Sequence, residues 1–552
     1  MPEAPVRVAV PWSLSRYMAL NSFHPLAQPW FVDNRLVDFR TVDIPALARA
    51  LEHSGWFAAE SGRRSRNLAR GWIDAAPDLE LLSAFIGHST AEELWAASDL
   101  PADMEFHHTC PMTAGTRPFV FYCEAFLPIF FPYFLHGGGE PQDHEEVRRL
   151  FGSILGAPAC LGILSHIPEA LAEISRFFRN PAIDAKLAQV RVGMLDTNLQ
   201  RLLDAPREAR GEGPVFLFTN SAHQNPNSIP LRGGRAVLLF AERYLRAGHP
   251  GRFVLRAARP TDEMLKSWGV DAAYLRSMEP ARIEWIEQFL DMDEQMALFV
   301  AADVMLLPSA GLHSLTVMQA LAAGAIPVVT DTWGTEHYVE DGRTGVVLRG
   351  VRSGIWRVHE PSGVRYDRYD VFPSLTESLV SQMFEKLVPL LSSAEAVLTM
   401  RERMRTEARE RFSGAAYRDS VCGELVQRWR AYQGRRDQAA PPSLLERFGA
   451  VRAGDWDRIF AVPPMPRQRG ASANELVFAG GSAYFRVRGA RLPNPDQWSP
   501  FALRRHGLLG VGATRVFASL RDMEEDASLS AAGQIARSLR AKMYYARRRW
   551  AK

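Results

Sequence analysis

Short apolar runs rich in β-branched residues recur through the first three quarters of the chain. Between them lie stretches whose apolar positions return every three or four residues. The first pattern predicts buried strands, the second helices, and their alternation predicts an α/β protein with parallel sheets covered on both faces. In the first half the predicted strands are Arg7–Pro11, Arg117–Glu124, Cys160–Ser165 and Val190–Gly193, with a helix over Ile167–Phe178. In the second half they are Val215–Thr219, Arg252–Arg256, Val304–Leu307 and Ile326–Thr330, with helices over Arg235–Ala247 and Asp293–Ala302. Two doubly wound units meeting at a cleft are the architecture this alternation predicts, and no internal repeat is visible.

The pattern changes near Gly434–Ser443 (GRRDQAAPPS), which reads as a polar linker. Residues 434–552 hold 21 Lys+Arg against 10 Asp+Glu, a charge of +11, so the rest of the chain carries −8 of the total of +3. Glu475–Arg488 alternates around Gly480-Gly481 and predicts a β-hairpin. Gln534–Lys552 holds seven basic residues and no acid, with Ile535, Leu539, Met543 and Trp550 at helical spacing. Such a helix either lies on an anionic membrane surface or packs on the body with its charges in water. No nucleic-acid motif accompanies the charge. The expected organisation is residues 1–205, 206–433 and 434–552.

Composition narrows the class. With 552 residues, 47% of them hydrophobic and 23% charged, the chain is neither disordered nor fibrous. Four scattered cysteines without a C-x-x-C pair argue for a reducing, cytoplasmic setting and against a zinc knuckle. The N-terminus lacks the basic and apolar regions of a signal peptide. The apolar run Phe119–Leu135 contains Glu124, Pro128 and Pro132, which do not suit a membrane-spanning helix. Its part Phe126–Phe134 is a second possible membrane contact if the acceptor is lipid-linked.

The chemistry concentrates in residues 215–348. Pro308-Ser309-Ala310-Gly311 leaves a predicted strand and enters a helix beginning near Ser314, so the backbone N–H groups of His313, Ser314, Leu315 and Thr316 form a positive helix end. A diphosphate suits that place. Gln319, one turn in, offers a donor and an acceptor to a ribose. The plain structural reading is also open: Gly311 as a turn, Ser314 and Thr316 as caps, Gln319 as a surface amide. Asp291-Met-Asp293 and Asp455-Trp-Asp457 match a metal-binding D-x-D pattern, but Asp293 stands where a helix N-cap belongs, and no metal is expected.

The runs Ala302–Asp331 (ADVMLLPSAGLHSLTVMQALAAGAIPVVTD) and Gly334–Leu348 (GTEHYVEDGRTGVVL) resemble the C-terminal half of GT-B glycosyltransferases of the group-1, or family-4, kind. The resemblance implies two Rossmann-like domains, the first for the acceptor and the second for a nucleotide-sugar donor, with residues 434–552 as a basic extension. It implies transfer of a sugar from a nucleotide-diphosphate donor to a glycan, lipid-linked or protein acceptor, with retention and without metal or other cofactor. The setting would be cytoplasmic, with possible attachment to the inner face of the membrane.

By the same resemblance, donor-binding residues are Asn220, Arg232, Gly311, His313, Ser314, Leu315, Thr316, Gln319 and Glu336. Arg232 takes the place of a lysine that stabilises the leaving diphosphate, a task its planar fork suits. Its alternative is a solvated residue at a helix start. His107 or His108 would face the cleft from the first domain, and strand alternation allows only one of them. Glu124 and the loop His136–Gly139 are further candidates for acceptor contact, and the base would meet the chain near Phe289 and Leu290. Two glutamates of the family pattern are absent: their positions are Gly311 and Gln319. The alternative is therefore a GT-B-like binding or scaffold protein without activity.

Overall fold

A computed structural model describes residues 4–10, 28–31, 34–40, 102–108, 111, 117–130, 140, 144–206, 213–220, 229–288, 290, 292–433, 475–479 and 482–486. Six parallel strands form the first sheet: β1 Val6–Ala9, β2 Val37–Arg40, β3 Met104–His108, β4 Phe119–Tyr122, β5 Cys160–Ser165 and β6 Leu187–Gln189. Their order is β2-β1-β3-β4-β5-β6. The second sheet is also parallel: β7 Val215–Thr219, β8 Arg252–Arg256, β9 Ile283–Trp285, β10 Val304–Leu307, β11 Ile326–Thr330 and β12 Val346–Leu348. Read from β9, its order is β9-β8-β7-β10-β11-β12, the doubly wound order in which chain direction across the sheet reverses between the first and fourth strands. A reversal of this kind sets a crevice beyond the carboxyl ends of the strands that flank it, here β7 and β10.

Strands β7, β10 and β11 are buried along their whole length, which is why they read as unbroken apolar runs. Helix Pro168–Phe178 starts with proline and Glu169 in its first turn, then buries Ala170, Leu171, Ile174, Phe177 and Phe178 on one face. Helix Ser314–Ala323 is buried from Val317 onward and ends at Gly324 in the left-handed conformation, φ 72.

The carboxyl ends of the two sheets face each other. Ile167, just after β5, lies against the position a Cβ on Gly334 would take, 3.3 Å away, and Gly334 follows β11. His337 reaches Glu169 of the first unit at 2.7 Å. A hairpin of β13 Trp356–His359 and β14 Val364–Asp367 extends from the second unit, and its Arg365 pairs with Glu173 at 2.9 Å. Two doubly wound α/β units facing a cleft make this the GT-B architecture.

Four details differ from the sequence reading. The closing strand of the first sheet is Leu187–Gln189, not Val190–Gly193; only the Val190 N–H continues the ladder, to Ser165, before the chain leaves toward the second unit. Asp293 is in the first turn of helix Met292–Ala301 rather than at its cap, and its exposed carboxylate pairs with Arg201. Phe126 and Phe130 are packed among Phe151, Phe177 and Phe178, so this part of the aromatic run is core and presents no membrane contact; residues 131–134 lie outside the described residues. Helix Gly414–Gln433 falls in the stretch assigned to the second unit. Yet its Tyr417, Val421, Cys422, Leu425 and Trp429 are buried with Val8, Phe106 and Leu164 of the first sheet.

In the extension, β15 Glu475–Ala479 and β16 Ser482–Arg486 pair antiparallel with Ala479 opposite Ser482, leaving two residues for the turn. The basic stretch 534–552, the loop 136–139 and Phe289 lie outside the described residues. No helix among the described residues is long and apolar enough to cross a membrane.

Candidate active site

The crevice at the β7/β10 reversal is built by two loops that are tied together. Gly233 has φ +82, and a Cβ there would stand 2.1 Å from the Pro308 carbonyl oxygen. Only glycine meets both conditions. The Leu231 carbonyl accepts the Ala310 N–H at 2.8 Å and the Ser309 hydroxyl at 3.0 Å. Arg232 is therefore fixed between two residues bonded to, or touching, the turn that leads into helix Ser314–Ala323.

That helix carries no side-chain cap at its N-terminus. Its first-turn N–H groups lie at a positive helix end, and Leu315 and Thr316 are partly exposed there. His313, at the cap position, has its Nε2 at 2.8 Å from the Ser309 oxygen. Because the Ser309 proton goes to Leu231, the imidazole Nε2–H is the donor in this pair, which places the neutral ring's lone pair on Nδ1. Burial, then the charge of Arg232, hold the His313 pKa well below its usual value. His313 is therefore neutral at neutral pH, and Arg232 adds its positive charge to that of the helix end.

Asn220, buried at the end of β7, lines the other side of the reversal. Gln319 is buried one turn into the helix rather than lying on the surface. Gly311 is partly exposed, and the nearest atom to a Cβ built on it is the Tyr369 hydroxyl, at 3.3 Å. Tyr369 in turn bonds to the buried carboxylate of Asp367. Glu336 stands apart from this group: its carboxylate holds Arg352 at 2.6 and 2.8 Å, and Arg352 stacks over Trp333.

On the first unit, alternation separates the two histidines. His107 bonds Glu105, two residues earlier and on the same face, at 3.0 Å, and its ring meets Phe119 edge-on. His108 stacks on Tyr122 and approaches Glu124 at 3.2 Å. The Tyr122 hydroxyl is 2.5 Å from His166 Nδ1 and 3.0 Å from the Tyr417 hydroxyl. Burial pushes the His166 pKa down to about 4 and raises those of Tyr122 and Tyr417, so this group is neutral at pH 7. Across the cleft Tyr338 stands beside His166 and the Ser314 side chain, which joins the cluster to the helix end.

The sequence reading missed Tyr122, His166, Tyr338, Asp367 and Tyr369. No local motif marks them, because they come from four separate segments of the chain. Among the described residues no group of three or more His, Cys, Asp or Glu stands where it could hold a metal ion.

The chain is similar, at low identity, to several solved structures. HepE of Anabaena in complex with UDP is 10% identical, with 61% of this chain and 82% of that chain covered and a TM-score of 0.39. A glycosyltransferase from Rickettsia africae is 9% identical, with coverage of 65% and 84% and a TM-score of 0.40. Sucrose-phosphate synthase from Thermosynechococcus elongatus is 12% identical, with coverage of 61% and 75% and a TM-score of 0.39. No family model and no curated protein sequence matches the chain.

Proposed function

We propose that this protein is a glycosyltransferase that moves a sugar from a nucleotide-diphosphate donor to a glycan, lipid-linked or protein acceptor, with retention of configuration and without metal. The observation that carries the reading is the tie between Leu231 and the Ser309-Ala310 turn, which sets Arg232 beside an uncapped helix end at the sheet's reversal point.

In this reading the diphosphate rests on the N–H groups of Ser314, Leu315 and Thr316, and Arg232 takes the charge that develops as the sugar bond breaks. Gln319 serves the ribose. Tyr369, whose proton goes to Asp367, accepts a hydrogen bond from a donor-sugar hydroxyl in the space that Gly311 leaves. His108, with Glu124, faces the acceptor from the first unit, and the acceptor attacks from the face the diphosphate leaves. His107, bonded to Glu105, has no part in it, and Glu336 supports the fold through Arg352. The basic extension holds the enzyme at an anionic cytoplasmic leaflet.

A panel of UDP-, GDP- and ADP-linked sugars, scored by thermal shift and donor hydrolysis, tests this. A selective shift with slow hydrolysis, both weakened in Arg232→Ala and Gln319→Ala, is the expected result. The empty side-chain position at Gly311 favours a second reading, a binding protein without turnover. Nucleotide binding with no hydrolysis and no transfer to any acceptor is the outcome that selects it; no binding at all removes both.

A further inference from the structure

Arg256 closes strand β8, and its place in the sheet is set by register: it is paired opposite Thr219, and its carbonyl accepts the Asn220 N–H at 3.0 Å. It therefore shares the carboxyl edge that carries Asn220, one strand from the reversal point. The residue is 3% exposed, as buried as the core residues Phe253, Val254 and Leu255 before it. Its Nε meets no hydrogen-bond partner, and among the described residues none offers the guanidinium a carboxylate. Elsewhere in the same unit even less deeply buried arginines are engaged: Arg365, 12% exposed, has Glu173, and Arg401, 19% exposed, has Asp303.

A buried cation without a counter-ion is among the least favourable arrangements in a protein interior, because lost hydration is not replaced. Burial lowers the Arg256 pKa only to about 10, so the charge persists at neutral pH. The described residues of the chain thus leave this charge unneutralised at the sheet edge beside Asn220. Residues 220–231, which lead into that crevice from β7, contain no lysine and no arginine. One cation, Arg232, follows them. A leaving diphosphate carries more charge than one guanidinium neutralises.

We infer that Arg256 is an anion-binding residue of the donor site, supplied from β8, and that it takes an oxygen of the nucleoside diphosphate. The inference rests on the donor-site reading above and adds a residue to it. An anion arriving there recovers the hydrogen bonds and the charge pairing that the free protein lacks, so the arrangement trades stability of the empty enzyme for affinity.

The trade is measurable. Wild-type, Arg256→Met and Arg256→Gln proteins are melted without ligand and titrated calorimetrically with UDP, GDP, ADP and inorganic pyrophosphate. Arg256→Met is expected to melt at or above the wild-type temperature while binding the preferred diphosphate at least about ten-fold more weakly and with a shallower salt dependence. An Arg256→Met protein that melts lower and binds as tightly as wild type overturns the inference, since that is the behaviour of a purely structural arginine. Should the methionine variant not fold, the glutamine variant gives the same comparison, and unchanged affinity there is equally decisive. If wild-type protein binds pyrophosphate but no nucleotide, the transferase reading falls and Arg256 is judged on pyrophosphate alone. If it binds neither, both fall.

Discussion

Gly233 and Pro308 touch backbone to backbone: a Cβ on the glycine would stand 2.1 Å from the proline carbonyl oxygen. This contact, together with the left-handed φ of +82, holds the Arg232 turn against the loop before helix Ser314–Ala323. Gly233→Ala should therefore lose at least about 2 kcal/mol of stability, from backbone strain and displaced packing, and lose diphosphate binding with it. Denaturant unfolding monitored beside nucleotide titration checks this; an alanine variant with wild-type stability would mean the two loops are free to separate.

Arg232 is expected to act on the departing diphosphate more than on the ground-state donor. Its removal should cost about 2–4 kcal/mol of barrier, a loss of roughly 30- to 1000-fold in transfer. Steady-state kinetics of Arg232→Ala with the donor found by the panel measures it. Full activity in that variant removes Arg232 from the site.

Tyr369 and Asp367 stand where Gly311 has no side chain. Tyr369→Phe keeps the ring and deletes the hydroxyl. It should lower kcat/KM for the nucleotide-sugar by about 5- to 20-fold, one hydrogen bond to a buried acceptor, while leaving nucleoside diphosphate affinity unchanged. Gly311→Ala, which places a methyl group 3.3 Å from the same hydroxyl, should shift it and give a smaller loss of the same kind. Equal weakening of diphosphate and nucleotide-sugar by Tyr369→Phe would place the residue elsewhere in the site.

His166 gives the protein a specific sensitivity to acid. Buried and neutral in the fold, it has a pKa of about 4, against about 6.5 in an unfolded chain. Above pH 6.5 neither state binds the proton and the residue is silent. Between those values the unfolded state takes up a proton that the native state refuses, so stability falls as pH drops. The full contribution is on the order of 3 kcal/mol, most of it lost by pH 4. Unfolding curves of wild-type and His166→Gln proteins from pH 8 to 4.5 test it: the wild-type slope should be steeper, and identical slopes exclude the assignment.

The reach of the sequence can be followed residue by residue. Buried parallel strands have a composition of their own, and β7, β8, β10 and β11 lie on the residues that the apolar runs marked. The helix start at Ser314 was likewise legible, because a strand, a glycine-bearing turn and an apolar-periodic run follow one another without interruption. Strands β9 and β12, three residues each, are too short to show a pattern, and helix ends shifted by one residue because their signals extend over a turn.

Alternation along β3 said that only one of His107 and His108 could face the cleft; the fold turns His107 to Glu105 and His108 to Tyr122 and Glu124. The sequence determined by itself the class, two parallel α/β units with β1, β4, β5, β7, β8, β10 and β11 in place, and the loop-to-helix turn at the second, since each depends on residues close together in the chain. Tertiary structure alone decided that Tyr369 fills the space beside Gly311, that Tyr122 joins His166 to Tyr417, and that Arg256 lies buried beside Asn220. Each of these depends on segments far apart in the chain, or on neighbouring strands, meeting at one sheet edge. Whether a polar side chain gains a partner or loses its water at such a meeting depends on the fold around it, and no local pattern records that.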